Sequence, residues 1–105
     1  MRGARTRLLA ALAGAMALGA CTGTQSAAER GRQVYLAYCT ACHAADPAQN
    51  GPLGPAVKGS SRELLEARIL RGSYPPGYTP KRSTTVMQPM PQLAPNIPDL
   101  AAYLR

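Results

Sequence analysis

The sequence has 105 residues, enough for one small domain, and contains 3 cysteines, 5 tyrosines and neither tryptophan nor phenylalanine. Twelve lysines and arginines against five acidic residues give a formal net charge of +7. Three of the arginines precede residue 21, so the remainder carries nine basic and five acidic residues, or +4. This mild, dispersed excess excludes a nucleic-acid-binding stripe. A domain so poor in bulky side chains needs a covalent staple or a buried non-protein group.

The first 20 residues are typical of an export signal. Three arginines form a basic start, and the apolar run 8–20 has the length of a signal-peptide core but is too short to span a bilayer. The run ends in LGAC, residues 18–21, which resembles the lipobox of bacterial lipoproteins. In that family the cysteine becomes the diacylated first residue, and two acyl chains are enough for stable anchoring. The alternative is ordinary cleavage, with Cys21 as a spare thiol.

These features predict the organisation of the chain. We expect a lipoprotein signal peptide at residues 1–20, a lipidated tether at 21–27 and one domain at 28–105. The protein would lie on the periplasmic side of a bacterial membrane, anchored through Cys21, with the choice between inner and outer membrane open.

The first two predicted helices each begin at a capping box whose first residue is serine. One helix spans residues 27–40, where SAAE at 26–29 supplies the cap. The next spans 61–71, where SSRE at 60–63 supplies the cap and Gly72 ends the helix. Between them, three prolines and three glycines in residues 44–59 indicate a loop.

A second loop and a last helix complete the pattern. Residues 72–92 contain five prolines and no helical period, and so long a loop in a small domain is usually functional or disordered. A short helix is predicted from Asn96, which would cap it, with Ile97, Leu100 and Leu104 on one face. No strand pattern is present, so the fold class is all-α.

The segment CTACH, residues 39–43, carries the chemistry. A redox dithiol needs a βαβ context, and a structural zinc site needs four ligands; the sequence offers neither. Covalent haem attachment needs only what is present: Cys39 and Cys42 would each form a thioether bond with one vinyl group, and His43 would be an axial ligand of the iron. The export signal agrees, because bacterial haem attachment occurs outside the cytoplasm. With a lipid on Cys21, no thiol is left over.

Over roughly residues 28–105 the chain resembles class I c-type cytochromes. The matching features are Gly31 and Tyr35, CTACH, Gly54-Pro55, residues 87–91 and the terminal PDLAAYLR. The resemblance implies a small cytochrome c fold, in which three to four helices wrap around one covalently bound haem c. It also implies that the first and last helices cross where Gly31 meets Tyr103, and that the carbonyl of Pro55 accepts a hydrogen bond from Nδ1 of His43.

The resemblance further implies a methionine as the sixth ligand, carried by the loop before the last helix. Met87 and Met90 both lie there. In related short cytochromes the hydrophobic residue that opens the last segment lies about six positions after this ligand. This spacing favours Met87, because Leu93 lies six positions after it. The Met-Pro pair at Met90 favours the alternative. Tyr74, Tyr78 and Arg71 are further candidates for contacts with the haem propionates.

These observations predict an electron carrier and no enzyme: a membrane-anchored monohaem cytochrome that passes single electrons through a His/Met-ligated haem. Its partners would be redox proteins, such as a dehydrogenase, a cytochrome complex or a terminal oxidase, and Lys58, Lys81 and Arg82 could steer them. Two alternatives remain open. One is a five-coordinate haem that acts as a sensor or weak peroxidase, and the other is the fixed haem subunit of a larger oxidoreductase.

Overall fold

The structure is a computed structural model that describes residue 14 and residues 23–105, so Cys21 and nearly all of the predicted signal peptide lie outside the described residues. Its elements are α1 (Ala27–Tyr38), α2 (Arg62–Leu65), a π turn that continues α2 (Glu66–Leu70), a 3₁₀ segment (Pro91–Asn96) and α3 (Ile97–Tyr103). Within the described ranges no strand occurs, and the all-α prediction is confirmed.

Helix α1 begins where the sequence predicts and ends two residues early. The Ser26 hydroxyl accepts a hydrogen bond of 3.1 Å from the Glu29 amide, so the predicted cap is confirmed. The helix ends at Tyr38 because CTACH forms a turn of its own, closed by the amide of His43 on the carbonyl of Cys39 at 2.9 Å. The helix therefore delivers both cysteines and the histidine at its carboxyl end.

Helix α2 differs from the prediction at its start. The capping hydroxyl belongs to Ser61, which accepts from the Leu64 amide at 3.1 Å. The Ser60 hydroxyl instead donates to the Val57 carbonyl. The helix then widens into the π turn and ends before Gly72, whose φ of 62° lies in the left-handed region that glycine favours.

The 3₁₀ segment before α3 was not predicted, and it changes how α3 begins. The side chain of Asn96 makes no capping hydrogen bond, so that prediction was wrong. The cause is that Asn96 already has helical backbone angles as the last residue of the 3₁₀ segment, so the chain enters α3 without an extended capping residue. The predicted apolar face is confirmed, since Ile97, Leu100 and Leu104 are buried.

Helices α1 and α3 cross at Gly31. A Cβ atom at this position would overlap the Asp99 carbonyl and lie 2.9 Å from Cβ of Tyr103. Glycine in a helix interior costs about 1 kcal/mol against alanine, and here the close backbone contact explains that cost. The crossing implied by the resemblance is confirmed.

An arginine beside the crossing ties three parts of the chain together. The Arg30 guanidinium donates two hydrogen bonds to the Asp99 carboxylate, of 2.9 and 3.0 Å, and a third of 2.6 Å to the Gln25 carbonyl. The carboxylate and its hydrogen bonds raise the pKa of Arg30. The residues just before α1 are therefore fixed against the helix crossing.

The hydrophobic core is small and lies between the helices. Its buried members are one tyrosine and six aliphatic residues: Tyr35, Leu65, Ile69, Leu93, Ile97, Leu100 and Leu104. Every element contributes at least one of them, so the loops between the elements are positioned by the same core. Among the helices of residues 23–105, none combines the length and apolarity needed to cross a membrane.

Candidate functional site

A cavity of about 370 Å³ opens beside the core and collects the predicted site residues from separate parts of the chain. Its walls include both cysteines and the histidine after α1, the proline of the first long loop and both methionines of the second, namely Cys39, Cys42, His43, Pro55, Met87 and Met90. Core residues from α2 and α3 line it as well. The predicted attachment residues and iron ligands of the described chain therefore face one cavity.

The imidazole of His43 is fixed in orientation. Its Nδ1 lies 2.9 Å from the Pro55 carbonyl oxygen, which can only accept, so Nδ1 carries the proton and Nε2 remains available to a metal. Gly54 restricts the same ring by close contact, since a Cβ atom at this position would lie 2.5 Å from Cε1 of His43. The loop thus holds the histidine by one hydrogen bond and one close contact, and it does so at the Gly-Pro pair that the sequence singled out.

The same loop is bound to CTACH through its backbone. The amides of Leu53 and Gly54 donate to the Cys42 carbonyl at 3.1 and 2.9 Å. The Gly51 amide donates to the Gly54 carbonyl at 2.9 Å, which closes the loop on itself. These bonds keep the loop in register with the histidine that it orients.

Tyr35 contacts the chain just after CTACH through its hydroxyl. The sequence analysis gave this residue no role in the site. Its ring is 1 % exposed and contributes to the cavity wall. Its hydroxyl donates to the Ala44 carbonyl at 2.5 Å, immediately after the histidine. Burial raises the pKa of Tyr35 to about 12, so the phenol stays protonated and remains a donor. A tyrosine four residues before Cys39, one helical turn away, was the available signal.

The two thiols of CTACH are free and half-buried. Burial raises the pKa of Cys39 to about 11, because an apolar wall disfavours the thiolate. Both sulfur-bearing side chains face the same cavity as His43, which suits two bonds to one rigid group.

Met87 and Met90 both reach the cavity, and both are half-buried against the core. The structure thus brings both predicted candidates to the histidine's cavity. Met87 as the sixth ligand, with Met90 as the alternative, stays a prediction.

The mouth of the cavity is positively charged. Arg68, Lys81 and Arg82 line it, and no aspartate or glutamate of the described residues does. Arg68 lies over the Tyr74 ring at 4.3 Å from its centroid, and Tyr74 stacks on Tyr78 at 5.5 Å. Arg71, one of the three residues that the sequence offered as candidates for propionate contacts, is exposed and does not line the cavity. The helical register places Arg68 there instead.

The residues present fit a haem group. The walls are mainly aliphatic and aromatic, two free thiols and an oriented imidazole face the interior, and a methionine thioether is within the lining. Gly54 leaves room for the imidazole that a larger residue would displace. These groups could hold the macrocycle by two thioether bonds and its iron by a nitrogen and a sulfur ligand.

The family model described as Cytochrome c matches residues 28–105, which covers α1, the cavity and α3. Neither the curated proteins nor the solved structures include a significant match to the chain.

Proposed function

Because the chain belongs to the cytochrome c family, which binds haem c covalently, we propose that it is a membrane-anchored, periplasm-facing carrier of single electrons. The haem supplies a one-electron Fe(III)/Fe(II) couple. Cys39 and Cys42 would hold the macrocycle, and His43 and Met87 would occupy the two axial positions of the iron.

The observation that supports this proposal is the cavity that gathers two free thiols, an oriented imidazole and a methionine. A thioether is a soft, neutral ligand that favours Fe(II) and raises the reduction potential. With both axial positions filled, no coordination site is left for a substrate. The residues of this chain would then orient the ligands, exclude water and present the cavity mouth to partners.

Absorption spectroscopy of the oxidised, haem-loaded protein tests the ligation. We expect the weak long-wavelength band that family members show for methionine bound to Fe(III). Met87→Ala should abolish the band, and the matched variant Met90→Ala should retain it. The reverse pattern would identify Met90 as the ligand. A high-spin spectrum of the unaltered protein would instead favour the five-coordinate sensor or peroxidase.

The charge at the cavity mouth supports a partner with an acidic surface. Lys58 and Lys81 line a second, smaller cavity of about 260 Å³ that shares Ser60, Leu64 and Tyr78 with the first. Together with Arg68 and Arg82 they form a basic rim, and no acidic residue within 23–105 lines either cavity. Complementary charge steers association and makes its rate depend on salt. The donor or acceptor would therefore present carboxylates to this rim.

Electron-transfer kinetics with an acidic and a basic redox protein test the rim. Lys58→Glu and Arg82→Glu should each slow the reaction with the acidic protein severalfold at low salt, and added salt should remove the difference. Arg32→Glu is the matched control, because Arg32 lies on α1 beside Glu29 and lines neither cavity. Equal effects of all three variants would count against a docking role of the rim.

The membrane anchor is proposed from the sequence alone. Metabolic labelling with a radioactive fatty acid in a bacterial host should mark the unaltered chain, and Cys21→Ser should lose both the label and its membrane association. A labelled Cys21→Ser variant would contradict lipidation at this residue.

A further inference from the structure

The loop that carries Met87 is held to the rest of the protein at few points. Among the amides of residues 79–90 in the described structure, only that of Met90 donates a hydrogen bond, to the Ile69 carbonyl at 2.6 Å. Lys81 adds one side-chain bond of 2.8 Å to the Ala56 carbonyl. Residues 79–86 are all exposed, whereas Met87 is half-buried. The loop is thus attached on either side of Met87.

The end of the helix at Gly72 makes the Ile69 carbonyl available to the loop, because the last carbonyls of a helix have no partner within it. In a regular α-helix this carbonyl would accept from the Ser73 amide, four residues later. Here the Ser73 amide donates to the Ala67 carbonyl at 2.9 Å, and the amides of Arg71 and Gly72 donate to carbonyls of residues 67 and 68. Because these three donors are engaged earlier in the helix, the Ile69 carbonyl is left for Met90.

A second contact joins the same two segments. Gly72 has a φ of 62°, and a Cβ atom there would lie 3.1 Å from Cγ of Pro89. Pro89, the residue before Met90, therefore packs against the glycine that follows the π turn. Arg68 and Ile69 of the same turn line the haem cavity. The turn accordingly contacts both the cavity and the loop.

We propose that the π turn, with Gly72, is the anchor of the methionine loop, and that the hydrogen bond from Met90 to Ile69 sets how often the loop leaves the haem. This inference rests on the proposed ligation by Met87. Segments with exposed backbone and few hydrogen bonds open locally at low free energy, so a single buried bond weighs heavily in that equilibrium. The anchor would thus govern exchange of the sixth ligand while leaving the helices folded.

Hydrogen exchange followed by NMR on the reduced, haem-loaded protein tests the anchor directly. Each measured exchange rate is divided by the intrinsic rate of the same amide in an unstructured chain. After this correction the Met90 amide should exchange at least about tenfold more slowly than the Gln88 amide. Gln88 is the internal reference because its exposed amide donates no hydrogen bond. Equal corrected rates would overturn the proposal.

Displacement of the methionine by imidazole tests the consequence. At saturating imidazole the rate is limited by loop opening, and Met90→Pro, which lacks the amide hydrogen, should open about tenfold faster than Met90→Leu, which keeps it. Gln88→Pro controls for the effect of a proline alone and should differ little from the unaltered protein. Equal rates in the two Met90 variants, or loss of the long-wavelength band in Met90→Leu, would overturn the proposal. If the unaltered protein lacked the band, the proposed ligation itself would fail; a normal band with an unprotected Met90 amide would remove the anchor alone.

Discussion

Tyr35 belongs both to the hydrophobic core and to the wall of the haem cavity. Its ring packs near Tyr103 of α3, with 5.6 Å between the ring centroids, and its hydroxyl binds the Ala44 carbonyl. Removing the hydroxyl would leave a part-buried carbonyl without its donor, which costs about 1–3 kcal/mol. One side chain therefore couples the helix crossing to the peptide that follows His43.

Tyr35→Phe should lower the free energy of unfolding at neutral pH by about 1–2 kcal/mol. The difference should depend on pH, because the folded pKa of Tyr35 is raised to about 12 from an ordinary value of 10.0. Below pH 10 the phenol is neutral in both states and its full contribution is present. Between pH 10 and about 12 only the unfolded state loses the proton, so the contribution of Tyr35 falls as pH rises.

Guanidinium unfolding of the haem-loaded proteins, followed by circular dichroism, measures this difference. Tyr38→Phe is the control, since Tyr38 is 54 % exposed and removal of its hydroxyl should change stability little. A gap between Tyr35→Phe and the unaltered protein that stays constant from pH 9 to about 12 would contradict the assigned pKa.

At the scale of elements, the crossing of α1 and α3 depends on the absence of a side chain at Gly31. The helices approach so closely there that a Cβ atom would overlap backbone atoms of Asp99, which cannot rotate away. The ion pair between Arg30 and Asp99 lies beside this contact, but solvent screens it at its exposed position and limits its contribution. Backbone contact, more than charge, fixes the crossing.

Gly31→Ala should therefore destabilise the protein by about 1–3 kcal/mol or more, although alanine is the better helix former by about 1 kcal/mol. Thermal unfolding of the haem-loaded variant measures the effect. Gln33→Ala, at an exposed position of the same helix, isolates the helix propensity and should be neutral or slightly stabilising. A Gly31→Ala variant more stable than the unaltered protein would show that the helices can separate at no cost.

For the whole molecule, the cavity is large in relation to the core that surrounds it. At about 24 cal/mol per Å³, an empty space of 370 Å³ would cost at most about 9 kcal/mol, less where water enters through the mouth. Small domains have a total stability of about 5–15 kcal/mol. We therefore expect the bound haem to contribute much of the folding stability that a larger apolar core provides in other small domains.

The double variant Cys39→Ser/Cys42→Ser, which cannot retain haem covalently, should lose most of its helical signal in circular dichroism. Cys39→Ser alone keeps one attachment site and should fold when haem is attached through Cys42. A double variant with full helicity and cooperative unfolding in the absence of haem would show that the small core suffices.

Features that depend on neighbouring residues in the sequence could be predicted, and those that depend on distant contacts could not. CTACH, the cap at Ser26 and the apolar face of α3 follow from local spacing. The hydrogen bond from the Met90 amide to the Ile69 carbonyl joins residues that are distant in the sequence, and so does the Lys81 bond to the Ala56 carbonyl. The position of Arg68 at the cavity likewise depends on how α2 packs, which no local pattern specifies.

The bond from Arg30 to the Gln25 carbonyl limits how far the protein can move from a lipid on Cys21. Four residue steps separate Cys21 from Gln25, and a fully extended chain spans at most about 14 Å over four residues. With the proposed lipid in place, the cavity mouth would sweep only a thin layer above the bilayer, so partners in the same membrane would meet it at a high effective concentration. The protein would then exchange electrons mainly with partners that diffuse in the same membrane. Proteins that diffuse freely in the periplasm would encounter the cavity mouth less often.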